Sequence, residues 1–193
     1  MKSEIDIAVE LFVKTLESLN VSYYIGGSIA SSAYGIARAT MDVDLVSELK
    51  QEHVKHLVQN LKKDYFIDEE MIIDAIKNNS SFNIIHLGTM LKIDVFIPKA
   101  GSFNKKVFER KRKENISQEP DSIQVFLCSA EDTILSKLEW YKSGGSASER
   151  QWKDILGIIK VQGELLDKEY LIKWAEELGV KDLLEKALNE GKM

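Results

Sequence analysis

The chain has 193 residues, of which 44% are apolar and 30% charged, and a formal net charge of −5. Such a composition makes one globular domain, or a core with an appendage, large enough to bury its own interior. It excludes a fibrous or low-complexity chain, and its acidity means that the field of the whole molecule does not favour nucleic acid, so any such contact would have to use a local basic patch.

From the start, Ser3 to Leu19 reads as an amphipathic helix capped by Ser3. Ile7, Val9, Leu11, Phe12, Leu16 and Leu19 form its apolar stripe, and Asn20 stops it. This acidic, helical opening is unlike a signal peptide, and no apolar run approaches the roughly 20 residues that a membrane-spanning helix needs, so a cytoplasmic protein is expected. Val21 to Ile25 is β-rich and stops at Gly26-Gly27, and Ser28 to Tyr34 is a short helical run. Glycines after a strand let the backbone approach a phosphate. A serine at a helix start offers an anion its hydroxyl and free N–H groups. Arg38 and Thr40 alternate with apolar residues on the approach to a second strand, Met41-Asp42-Val43-Asp44-Leu45. Residues two apart in a strand share a face, so Asp42 and Asp44 present a pair of carboxylates. Arg38 either holds such carboxylates, touches a phosphate, or is an ordinary surface arginine.

Gln51 to Lys62 is a second amphipathic helix. His53 and His56 lie three apart on it, but no Cys or acidic partner completes a zinc pattern, and surface histidines are expected. Tyr65 to Ile67 is a short strand, and Asp68 caps a helix running to about Lys77. Phe82 to Leu87 and Leu91 to Ile97 form a hairpin around Gly88-Thr89-Met90. Asp94 is the lone acid of that second run. A carboxylate among buried apolar neighbours needs either a base or a metal, because desolvating it is costly. Pro98 ends the strand. Lys105, Lys106, Arg110, Lys111, Arg112 and Lys113 then form a basic cluster, either a solvated face or a docking surface for RNA or a triphosphate. Ile123 to Leu127 is a further core strand. Cys128, the only cysteine, cannot form an intrachain disulfide and reads as a buried thiol.

Ser129-Ala130-Glu131-Asp132 caps a long helix whose buried stripe is Ile134, Leu135, Leu138 and Trp140, with Lys137 among them. Ser143 to Ser146 breaks it, Ser148 starts the next helix, and two more follow at about 167–178 and 181–189. The expected fold is α/β (α+β in the stricter sense): a core over residues 1–128 with a small mixed sheet and flanking helices, then a C-terminal helical bundle over 129–193 packed across the cleft.

Gly26-Gly27-Ser28, thirteen intervening residues, and Asp42-x-Asp44 between apolar residues resemble the nucleotidyltransferase superfamily of DNA polymerase β. The likeness runs from about Val21 to Ile159. Within the superfamily the chain is most similar to the small bacterial AbiEii type of abortive-infection and toxin–antitoxin systems. Lys137-Leu138, followed by Arg150-x-x-x-Asp154, is similar to a second block of that type. The resemblance implies transfer of a nucleoside monophosphate from a nucleoside triphosphate to a hydroxyl on a tRNA end, a protein or a small molecule. It implies Asp42, Asp44 and Asp94 as ligands of Mg²⁺ or Mn²⁺, and Gly26, Gly27, Ser28, Arg38, Thr40 and Lys137 as nucleotide contacts. Lys137 would neutralise triphosphate charge, and Asp154 would orient Lys137 or accept the acceptor's proton. Arg150 and Asp154 lie one helical turn apart, so a plain surface pair is the alternative for Arg150. Two other readings remain: a catalytically silent nucleotide-binding partner of an antitoxin, and a metal-free protein whose aspartates pair with Arg38 and Lys92.

Overall fold

The computed structural model describes residues 2–191. Met1, Lys192 and Met193, at the outer ends of the two expected domains, lie outside the described residues. The strands are β1 (Tyr23–Ile25), β2 (Asp42–Ser47), β3 (Tyr65–Phe66), β4 (Ser81–His86), β5 (Lys92–Phe96), β6 (Arg112–Asn115) and β7 (Gln124–Leu127). The helices are α1 (Glu4–Ser18), α2 (Gly27–Tyr34), α3 (Gln51–Leu61), α4 (Glu69–Asn78) and α5 (Ser102–Arg110). They continue with α6 (Ala130–Ser143), α7 (Glu149–Gln162), α8 (Lys168–Glu177) and α9 (Lys181–Glu190). Two compact units result. The first joins the residues through Gly26 with Thr40–Leu127, and the second joins Gly27–Ala39 with the chain from Cys128 onward. Helix α2 thus groups with the C-terminal helices, although it lies inside the first 128 residues of the sequence.

The first unit is built on one mixed sheet of strand order β3-β4-β5-β2-β1-β7-β6. The β2–β5 and β1–β7 pairs are parallel and the remaining pairs antiparallel. Along β2 and β5 burial alternates in phase: Val43, Leu45, Ile93 and Val95 are buried, while Asp42, Asp44, Lys92 and Asp94 share the more open face.

Helix α1 is held by a capping box between Ser3 and Asp6. Its buried face is Ala8, Val9, Phe12, Val13 and Leu16, whereas Ile7 and Leu11 of the expected stripe are 46% and 38% exposed. Asp6 accounts for the rotation, because it is fully buried. Its carboxylate accepts from Ser3 N (3.1 Å), Ser3 Oγ, Ser117 Oγ (2.7 Å), Ser122 Oγ (3.0 Å) and Ile123 N (2.8 Å). Burial pushes this carboxyl's pKa up, but the hydrogen bonds outweigh it and hold the group below the usual carboxylate range. Asn20 follows the helix with φ 55°, the left-handed conformation that terminates helices. The expected caps Asp68, Ser129 and Ser148 each accept from a backbone N–H three residues on.

In the second unit, α6 buries Ile134, Leu135, Lys137 and Leu138, but Trp140 is 60% exposed, contrary to expectation. Two residues beyond Leu138 is about 200° around a helix, so Trp140 turns away from the stripe. Asp132 accepts from Ser129 Oγ (2.9 Å) and Tyr170 Oη (2.6 Å), and Asp167 N donates to Glu131 Oε1 (3.0 Å), which ties α6 to α8. At Gly35 an added Cβ would lie 2.8 Å from Ile158 N and 2.9 Å from Ser31 O, so α7 approaches the end of α2 as closely as glycine allows.

The basic cluster is divided between α5 and the exposed edge strand β6, with Lys111 between them. Lys111 Nζ donates to Ser22 Oγ at 2.5 Å and stands 4.6 Å from the Phe126 ring centroid, and burial pushes its pKa down. Lys111 is therefore part of the packing rather than of a free basic face. His53 Nδ1 accepts from Lys50 N at 3.1 Å, which closes the first turn of α3. Among the described residues no helix is long and apolar enough to cross a membrane.

Candidate active site

The first unit carries the carboxylates. In the β2–β5 ladder Asp42 faces Lys92 and Asp44 faces Asp94. Paired strands lie about 4.8 Å apart and paired residues point the same way, so Asp44 and Asp94 stand side by side with Asp42 two residues along. The Asp42 side chain is 55% exposed and that of Asp94 is 23% exposed, so both are reachable from solvent. The flanking residues hold this geometry through the backbone. Gly26 N donates to Asp44 O at 2.9 Å. Thr40 Oγ1 donates to Asp42 O at 3.1 Å and accepts from Asp42 N at 3.4 Å, which shapes the start of β2.

Lys92 stands among these acids. Its Nζ lies 2.8 Å from Asp94 Oδ2 and 3.9 Å from Asp42 Oδ1. The hydrogen bond to Asp94, with Asp42 and Asp44 nearby, holds the ammonium above the usual lysine range. Three carboxylates on adjacent strands are a donor set suited to a hard divalent cation. Among the described residues, however, no three His, Cys, Asp or Glu side chains converge as a ready metal centre. Chelation requires the carboxylates to turn from Lys92 toward a shared point.

The second unit carries the cations. Gly27 opens α2 with φ 55°, a conformation that glycine adopts without steric cost. Arg38 folds back along α2, its Nη2 donating to Ser28 Oγ at 2.6 Å. The same guanidinium grips Asp154 with a fork, Nε to Oδ1 and Nη2 to Oδ2, both at 2.9 Å. Lys137 Nζ donates to Asp154 Oδ2 at 2.9 Å. Asp154, Lys137 and Arg38 side chains are 7%, 10% and 26% exposed. Burial pushes the Asp154 pKa up, but hydrogen bonds from Arg38 and Lys137 outweigh it and hold the carboxyl below its usual range. One carboxylate between two cations leaves the group with a net positive charge, the sign that suits a polyphosphate. Arg150, one turn before Asp154, is exposed.

Of the residues singled out from sequence, the structure places Asp42, Asp44 and Asp94 on one face of the sheet in one unit, and joins Ser28, Arg38, Lys137 and Asp154 by hydrogen bonds in the other. Two ion pairs organise these clusters, Lys92 with Asp94 and Arg38 with Asp154. The first has a trace in the alternation Lys92-x-Asp94, which puts both on one face. The second spans 116 residues and has none.

The mixed seven-stranded sheet with its flanking helices has nucleotidyltransferase-like fold neighbours among solved structures. No protein-family profile matches the chain, and no curated protein does. Among solved structures, an antigenic nucleotidyltransferase-like protein from Paracoccidioides brasiliensis superposes with a TM-score of 0.55 at 20% identity, covering 97% of this chain and 94% of that one. The solution structure of the antibiotic-resistance factor ANT(2'')-Ia superposes with a TM-score of 0.56 at 13% identity, over 98% of this chain and 100% of its own. The crystal structure of ANT(2'')-Ia with adenylyl-2''-tobramycin gives 0.56 at 12% identity, over 99% and 100%. At these identities the likeness is one of fold.

Proposed function

We propose that the protein is a divalent-cation-dependent nucleotidyltransferase, moving a nucleoside monophosphate from a nucleoside triphosphate to a hydroxyl acceptor with release of pyrophosphate. The observation that carries this reading is the register of Asp44 against Asp94 on parallel neighbours, with Asp42 on the same face. Asp42, Asp44 and Asp94 would hold Mg²⁺ or Mn²⁺, which when bound neutralises the triphosphate oxygens and stabilises both the entering and the leaving oxygen. The N–H groups at the start of α2, around Gly27 and Ser28, receive phosphate oxygens. Arg38 and Lys137 offset charge that builds on the departing pyrophosphate. Asp154 is a positioning residue in this scheme: with a depressed pKa and both oxygens engaged, it is a poor proton acceptor and a good orienter of Lys137. Asp94 helps draw the proton from the acceptor hydroxyl. The new bond forms between that oxygen and the α-phosphorus, and the α–β bridging bond breaks.

Calorimetry with each of the four triphosphates and Mg²⁺ tests the reading. Binding that Asp42→Asn and Asp44→Asn abolish is the expected result, and binding unchanged in those variants refutes it. A second reading, a module that holds nucleotide without turning it over, is favoured by Lys92 occupying Asp94. Pyrophosphate release separates the two. The acceptor is a tRNA end, a protein or a small molecule, and the material labelled by α-³²P nucleotides in cell extract identifies it. The finer reading of an AbiEii-like toxin with an antitoxin partner rests on the sequence resemblance of Lys137-Leu138 and Arg150-x-x-x-Asp154 alone, and co-purification of a second protein with the tagged chain tests it.

A further inference from the structure

We propose that Lys92 is a resident counter-ion of the Asp42, Asp44 and Asp94 carboxylates, and that it must leave Asp94 before a divalent cation is held there. The inference rests on the cation-dependent reading above and concerns how that site is loaded. Strand pairing dictates the arrangement: Lys92 faces Asp42 across the β2–β5 ladder and shares its own strand face with Asp94. Its ammonium is therefore delivered to the acidic cluster by the backbone, 2.8 Å from one carboxylate and 3.9 Å from another.

Three neighbouring carboxylates repel one another unless a positive charge stands among them. Lys92 supplies one such charge, and a divalent ion supplies two. A carboxylate has lone pairs enough for both, so it is charge that sets them against each other: a divalent ion held by Asp94 would stand close to an ammonium hydrogen-bonded to the same carboxylate and repel it. Lysine suits the exchange, because its flexible four-carbon stem carries a compact charge. The Lys92 side chain is already 42% exposed, which leaves it room to swing outward. Cation affinity is thereby set below what the carboxylates alone would give, and the cation-free cluster is kept from self-repulsion.

The test is Mn²⁺ titration followed by electron paramagnetic resonance on the full chain, comparing wild type, Lys92→Met, Lys92→Gln and Lys92→Arg. Loss of the charge should tighten Mn²⁺ binding on the order of tenfold, the size expected for one charge near a divalent ion in a solvent-reached site. Lys92→Arg should bind nearly as wild type does. In EDTA, Lys92→Met and Lys92→Gln should melt below wild type, and saturating Mg²⁺ should erase that deficit. Equal or weaker Mn²⁺ binding by Lys92→Met and Lys92→Gln overturns the counter-ion role while leaving the cation site itself standing. Mn²⁺ held by none of the proteins, or held equally by Asp42→Asn/Asp44→Asn, overturns both.

Discussion

Replacing Asp154 with Asn removes the one negative charge between Arg38 and Lys137 while keeping the side chain's size. Lys137 is 10% exposed, so its ammonium is left almost out of water with a guanidinium for a neighbour. Breaking a buried pair costs about 3–5 kcal/mol, because a charge is stranded. Arg38, at 26% exposed, recovers part of its solvation, which brings the expected loss to about 2–4 kcal/mol. For a chain of this size each kcal/mol moves the melting temperature by about 2–4 °C, so Asp154→Asn should melt about 5–15 °C below wild type at pH 7. The pH dependence gives a second readout. Asp154 is depressed in the folded state, so its stabilisation is fully present above the unfolded pKa of about 3.9 and is lost as pH falls through the folded value. Asp154→Asn should lack that part of the acid limb. Adding Lys137→Met should cost less in Asp154→Asn than in wild type, since the stranded charge has gone. Urea denaturation of the four proteins measures all of this. A loss under about 1 kcal/mol, or strictly additive costs, would show that the triad is not the coupled charge network described.

Four further outcomes follow from the packing. Gly35→Ala should destabilise by about 1–3 kcal/mol in thermal melts, because its Cβ would meet backbone atoms of Ile158 and Ser31 that have no room to give; an unchanged melting temperature would contradict the close approach of α7. Asp6→Ala should cost about 2–4 kcal/mol in urea, since it strips an acceptor from several inward-facing donors. Asp6→Asn should lose stability mainly above the unfolded carboxyl pKa, where the native carboxylate contributes, and should flatten the acid limb as pH falls. Burial pushes the Cys128 thiol up to about 12, so iodoacetamide at pH 8 should leave the folded protein unmodified and label it readily in urea; fast labelling of the folded protein would contradict the burial.

Local chemistry was legible in the residue order. Ser3, Asp68, Ser129 and Ser148 announced helix starts because a short oxygen-bearing side chain satisfies N–H groups within its own turn. The two-residue spacing of Asp42 and Asp44 placed them on one face because strand geometry requires it. The hairpin carrying Asp94 was equally visible, with a turn bracketed by β-branched runs. Contacts between distant segments were not legible. Nothing in the chain's periodicity states that β2 pairs with β5 so that Asp44 meets Asp94, rather than one step out of register. Nor does it say that Arg38 crosses 116 residues to reach Asp154. The outward turn of Ile7 and Leu11 came from Asp6, whose four partner residues include three in a loop more than a hundred positions away. Capping and alternation are satisfied within a few residues, whereas register and ion pairing depend on which surfaces meet when the chain collapses, and only the folded structure holds that information.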